Sequence, residues 1–152
     1  MGKVLALFVC SKKGEPMRRL ECAQALQGLG LEGDRYATGK GAWSRAPREA
    51  IRQVSLISQE AIAEANALLI QPFLPEETRR NILTSDIDLN ALIGIEFTIG
   101  QARMRGFELC DPCARPSKLA GKVGFAEAFI LRGGLRAEVL SSGLIVVGDD
   151  IV

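Results

Sequence analysis

Hydrophobic positions along this chain fall mostly in short runs, broken by glycine or proline every few residues. That rhythm favours strands and turns over long helices. Apolar segments, many of them β-branched or aromatic, predict strands over Val4–Val9, Gln53–Ile57, Glu96–Ile99, Ala102–Glu108 and Leu144–Val147. The first of these shows no polar alternation and reads as a buried strand. One segment has helical spacing instead. After Ser58, an N-cap residue, Ile62, Ala65, Leu68 and Leu69 recur on one face, and Glu60 sits in the first turn, where the helix dipole favours a carboxylate. Pro72 and Pro75 should stop it. Shorter helices are expected over Gly124–Phe129 and Glu76–Ile82. Gly33–Arg52, rich in glycine and basic residues with the chain's single Trp in the middle, reads as a long exposed loop. Loops of that length in a compact domain are usually functional or disordered. With no internal repeat, the expectation is one mostly β domain over residues 1–152, with one to three short helices packed on it.

Composition narrows the function classes. A chain of 152 residues, 47% hydrophobic, can bury a core without disulfide staples. A net charge of +1 argues against a sequence-independent nucleic-acid coat. The kind of charge says more, because thirteen of the 19 basic residues are Arg, the side chain suited to forked recognition of phosphate and carboxylate. The longest apolar run, near Ala61–Ile70, is too short to span a membrane and holds Glu64 and Asn66. The amino-terminal stretch lacks a small-residue cleavage site, so a cytoplasmic setting with reduced thiols is expected. Cys10 and Cys22 are then read as inert core thiols.

The chemistry concentrates in LCDPCARPSK, residues 109–118. Cys110 and Cys113 form a CxxC in a chain with no histidine. Structural zinc needs four Cys or His ligands, and no second pair is present. A thioredoxin-like redox pair would open a helix in a βαβ setting, and ARPSKLAG looks a poor helix start. Two buried structural cysteines remain an open reading. Asp111, Pro112 and Pro116 mark a turn, however, and Arg115 and Lys118 favour a thiolate, a soft ligand for a sulfur-loving metal. Three further stretches are weak singly. In ETRRNILTSD, Arg79 and Arg80 could grip an anion, with Asn81 and Thr84 adding neutral hydrogen bonds. GLGLEGDRYA places three glycines before Asp34–Arg35 but is neither a P-loop nor a dinucleotide fingerprint. LRGGLR sets Arg132 and Arg136 on either side of a Gly-Gly turn.

In order, GLEGDRYA, QVSLISQEAI, ETRRNILTSDIDLNALIGIEFTIG, LCDPC and RGGLRAEVLSSGLIVVGDDI resemble the MOSC family, named for the C-terminal domain of molybdenum-cofactor sulfurases. The resemblance runs from about Val4 to Ile151. It implies a mainly β, barrel-like fold and binding of the molybdenum cofactor (molybdopterin), a phosphate-bearing pterin dithiolene that holds the metal. It further implies that Cys113 is the metal ligand or a sulfur carrier. Arg35, Arg79, Arg80 and Asn81 fall in the family's anion-gripping motifs, and Arg132 and Arg136 in its late glycine–arginine motif. The chain departs from the pattern at Tyr36, where many members have His. A phenol, with an ordinary pKa of about 10, moves protons poorly near neutrality, so acid–base work would pass to Asp111 or to a water on the metal.

Two readings follow. In one, the chain reduces N-hydroxylated or N-oxide substrates, with Cys110 a spectator or a redox partner of Cys113 and with electrons from a separate donor protein. In the other, it carries the cofactor, or a persulfide on Cys113, to an accepting enzyme. A domain that has lost the cofactor and binds another anion is the third. None calls for nucleic acid or membrane.

Overall fold

A computed structural model of the chain describes residues 1–44 and 52–152. Eleven strands are present among them: β1 (Gly2–Val9), β2 (Arg18–Leu20), β3 (Cys22–Leu26), β4 (Gly30–Leu31), β5 (Val54–Ser58), β6 (Ile82–Ser85), β7 (Glu96–Ile99), β8 (Ala102–Leu109), β9 (Leu135–Ser141), β10 (Gly143–Val146) and β11 (Asp150–Ile151). The helices are α1 (Gln59–Asn66), α2 (Arg115–Ala120) and α3 (Phe125–Ala128), with 3-10 turns at Pro75–Thr78 and Leu89–Leu92. Seven strands close on themselves in the order β1, β11, β7, β8, β9, β5, β6 and back to β1, with β2 hung on the outside of β1. Closure removes the open edges that a sheet otherwise exposes. The expected mainly β, barrel-like architecture is what the chain adopts. β3, β4 and β10 form a second, three-stranded sheet.

Period-two patterning builds the barrel wall. Along β8, Ala102, Met104 and Gly106 point inward while Arg103, Arg105 and Phe107 face solvent. β1 is buried along most of its length because it separates two cores. Val4, Leu7 and Val9 join Leu56, Ile82, Ile99, Met104 and Leu135 inside the barrel. Ala6 and Phe8 join Ile57, Ile62, Phe73, Phe125 and Phe129 outside it, beneath the helices. A register shift against β6 between Val4 and Ala6 lets both sets point correctly. In the outer core Phe125 stacks on Phe129 at 4.3 Å between centroids, and Phe73 meets both edge-on.

The α1 expectation holds, with Ser58 Oγ accepting from Ala61 N at 3.0 Å. The helix ends at Asn66, earlier than the prolines require. The Asn66 amide bonds both N and O of Phe73 and turns the chain back. β5, α1 and β6 make a crossover between parallel neighbours.

Several expectations are corrected. Glu76–Ile82 is no helix: the 3-10 turn stops at Thr78, Arg79 adopts a left-handed φ of 68°, and Ile82 opens β6. ARPSKLAG does form a helix, α2, with Pro116 in the first turn, where its missing N–H costs nothing. Cys22 is exposed, unlike Cys10, which is in the core. The loop after Gly33 is not exposed at its start, since Asp34, Arg35 and Ala37 are buried. Its central part, residues 45–51, lies outside the described residues. Among the described residues no helix is long and apolar enough to cross a membrane.

Candidate functional site

The cavity that gathers the sequence's candidate residues opens where the ends of β1, β5 and β9 meet the loops before β6 and α2. It encloses about 670 Å³, open mouth included. Arg35, Arg79, Arg80, Asn81, Asp111, Cys113 and Arg136 all line it. So do Lys13, Trp43, Arg52, Gln53 and Ser55, which the motif reading did not assign to the site, and Arg115, which it set beside the CxxC thiols. The one available signal for Arg52 and Trp43 was their place in a long glycine-rich loop. Arg132 is not brought here: its Nε pairs with Glu64 at 3.2 Å, beside a separate cleft. Lys118 is exposed and also stays outside.

Local chemistry explains each placement. Asp34 is wholly buried and accepts from the N–H groups of Cys10 and Tyr36, each at 3.2 Å, and from Arg35 Nη1 at 2.9 Å. Arg35 thereby lies along the cavity wall, with its guanidinium carbon 4.7 Å from the Tyr36 ring centroid. Arg79 reaches from its left-handed backbone to Glu15 O and to Cys10 Sγ, the latter at 3.4 Å. Burial, then the neighbouring Arg35 charge, pull its pKa below the ordinary guanidinium value. Arg80 Nε donates to Gly133 O at 2.7 Å, tying the RR pair to the RGG turn. That turn needs its glycines. A Cβ on Gly134 would lie 2.0 Å from Leu56 O, and one on Gly133 would lie 2.3 Å from Cys110 O.

The two cysteines of the CxxC part company. Cys110 is 3% exposed, and its N–H bonds Gly134 O at 2.7 Å. Cys113, half-buried, faces the cavity. Asn81 differs from expectation in kind. It lines the wall, but its Oδ1 accepts from Ser55 N and Oγ, and its Nδ2 donates to Phe8 O, so the amide clamps β1, β5 and β6 together.

The donor balance is one-sided. Among the described residues, six Arg and Lys13 face a single lining carboxylate, Asp111. Among the described residues, Nε and Nη1 of Arg52 and Nε of Arg136 are buried with no hydrogen-bond partner. Glu108 lies 3.6 Å from Arg136 Nε, in range of ion pairing and beyond a hydrogen bond. Buried unpaired donors are costly, and together with crowded guanidiniums they call for an anion. No group of three or more His, Cys, Asp or Glu able to hold a metal occurs among the described residues. A metal here would therefore have to arrive in a group that supplies most of its ligands, with one protein thiolate to complete them.

Comparison with solved structures supports the fold. The YUAD protein from Bacillus subtilis superposes with a TM-score of 0.81 at 21% identity, covering 99% of this chain and 94% of that one. YiiM from Geobacillus stearothermophilus gives 0.73 at 14% identity, covering 100% and 74%. YiiM from Escherichia coli gives 0.67 at 16%, covering 99% and 69%. No curated protein matched significantly by sequence. The MOSC domain model matches residues 44–152, a span that includes the RRN turn, Cys113 and the RGG turn. On that match the chain belongs to the MOSC domain family.

Proposed function

We propose that this protein binds the molybdenum cofactor in the arginine-lined cavity, with the Cys113 thiolate as the protein ligand to the metal. We further propose that it reduces N-hydroxylated or N-oxide substrates with electrons from a separate donor protein. The MOSC family is associated with this cofactor. The observation that carries the reading is the pairing of unpartnered buried guanidinium donors with one cavity-facing thiol. When bound, the cofactor supplies a two-electron redox centre able to accept an oxygen atom.

The chain's own residues hold, orient and protonate. Arg52 and Arg136 offer their free N–H groups to the anionic parts of the ligand. Arg35 and Arg79, fixed by Asp34 and by Cys10, present positive charge that needs no reorganisation. Cys113 is a soft ligand on the rim, while the deeper Cys110 shapes the loop that carries it. Asp111 is exposed and lines the cavity, where its carboxylate would exchange protons between solvent and a bound substrate's N–O oxygen. Tyr36 packs on Arg35 and stabilises its orientation.

The half-exposed Cys113 also supports a carrier reading, in which a partner protein reaches the same sulfur. One preparation separates the two. Molybdenum and pterin are measured in protein from a cofactor-making host, for wild type, Cys113→Ser and Cys110→Ala. The expected result is about one of each per wild-type chain, loss of metal in Cys113→Ser, and retention of most of it in Cys110→Ala. Equal loss in both cysteine variants would sink the proposal and revive a paired structural role. A loaded wild type that turns over no N-oxide with a supplied donor would favour the carrier.

A further inference from the structure

Directly behind the cavity wall lies a fully buried charge that belongs to neither the thiol nor the basic cluster. Asp34 has no solvent exposure, and its carboxylate accepts from two cavity-wall residues, at Tyr36 N and Arg35 Nη1, and from Cys10 N behind them. The link to Cys10 is reciprocal, since Arg35 N donates to Cys10 O at 2.7 Å. Cys10 in turn receives Arg79 Nη2 at its sulfur. Arg35 Nη2 lies 3.5 Å from Arg79 O, so the two guanidiniums are braced from one corner. Without Asp34, Arg35 would be left with weak contacts: Met17 Sδ at 3.7 Å, that long bond to Arg79 O, and the Tyr36 face.

We propose that Asp34 is a positioning residue, whose buried carboxylate fixes the Arg35 fork as a preformed anion ligand in the cavity. It touches no ligand itself. A long flexible cation held by one charged, buried partner loses little freedom when an anion arrives, and preorganisation of that kind strengthens binding. The competing effect is electrostatic: a nearby negative charge lowers the cavity's positive potential, so its removal alone would strengthen anion binding. The geometry favours orientation, because Asp34 is itself fixed by two backbone donors and holds Arg35 Nη1 at 2.9 Å.

This inference shares with the cofactor proposal only the premise that the cavity takes an anion, and its test needs no cofactor. Inorganic phosphate binding is measured by calorimetry on the full chain, made in a host lacking the cofactor, for wild type, Asp34→Asn, Arg35→Gln and the double variant. Each single change is expected to weaken phosphate about tenfold or more, as loss of a hydrogen bond to a charged group does. The double variant should bind no more weakly than Arg35→Gln, because Asp34 acts through Arg35. Additive losses would show a general structural role and overturn the proposal. Unchanged or tighter binding by Asp34→Asn would do the same, as would a wild type that ignores phosphate. Should Asp34→Asn fail to fold, Asp34→Glu keeps the charge but shifts it by one methylene. It is expected to lose affinity too, and wild-type affinity in that variant would overturn the proposal. Absence of molybdenum from the native protein would sink the cofactor reading and leave these measurements standing.

Discussion

Asn81 shows how a residue's neighbours decide its job. In the sequence it stands beside Arg79 and Arg80 and looks like a ligand-binding amide. In the folded chain both ends of its amide are engaged with the backbone of β1 and β5. It is also 1% exposed. Asn81→Ala would strand Phe8 O and Ser55 N inside the protein, each costing roughly 1–3 kcal/mol. A loss of about 3 kcal/mol in urea unfolding is expected, with phosphate affinity nearly unchanged in the fraction that folds. Full stability with lost affinity would return Asn81 to the binding set. Cys110 and Cys113 teach the same lesson. Their spacing made them equivalent, and only the crossing of the chain at Gly133–Gly134 buries the first and leaves the second at the cavity.

At the scale of elements, legibility did not simply follow length, since the seven-residue β9 was not expected while the four-residue β7 was. α1 was readable from an N-cap, a first-turn Glu and a periodic face: the cap and the Glu are present, and Ile62 and Ala65 are buried on the helix, while Leu68 and Leu69 lie beyond its end. Replacing Ser58 with Ala should cost about 1 kcal/mol, because Ala61 N loses its acceptor. Chemical denaturation checks this, and an unmoved midpoint would mean that the first turn is frayed. Strands β7 and β8 were readable as apolar segments holding β-branched or aromatic residues, and β1 from its unbroken apolar run. The short strands β2, β4 and β11 were not, since two or three residues carry no period. α2 was hidden for another reason. It has no side-chain N-cap bond, and its proline reads as a breaker unless its place in the first turn is known. The RR turn misled because Arg79 stands in a left-handed conformation that usually belongs to glycine, so the helix expected there ends before it.

For the whole molecule, what matters is where charge lies. The chain is nearly neutral, yet among the described residues six Arg and Lys13 face one Asp in a single cavity, so the residues outside that lining are net acidic. Among the described residues, seven separate stretches of chain contribute to that cavity, which is why the ordered motifs pointed to it while no single stretch did. Such focusing of like charge raises the local potential and destabilises the empty fold. An anion that fills the cavity should therefore stabilise the chain by mass action, by about 2.7 kcal/mol at a hundredfold excess over Kd, or roughly 5–10 °C in Tm for a domain of this size. Salt should weaken this unequally. Contacts at the open mouth, near Lys13 and Arg115, are screened as the Debye length falls from about 10 Å at 0.1 M to about 3 Å at 1 M. The buried donors of Arg52 and Arg136 are screened far less. Thermal scans with phosphate, repeated across sodium chloride concentrations, should show a Tm gain that shrinks with salt to a plateau above zero. Arg52→Gln with Arg136→Gln should remove the plateau and leave the salt-sensitive part. A gain that vanishes completely at high salt in the wild type would place the anion at the mouth, and the buried donors would then need another partner.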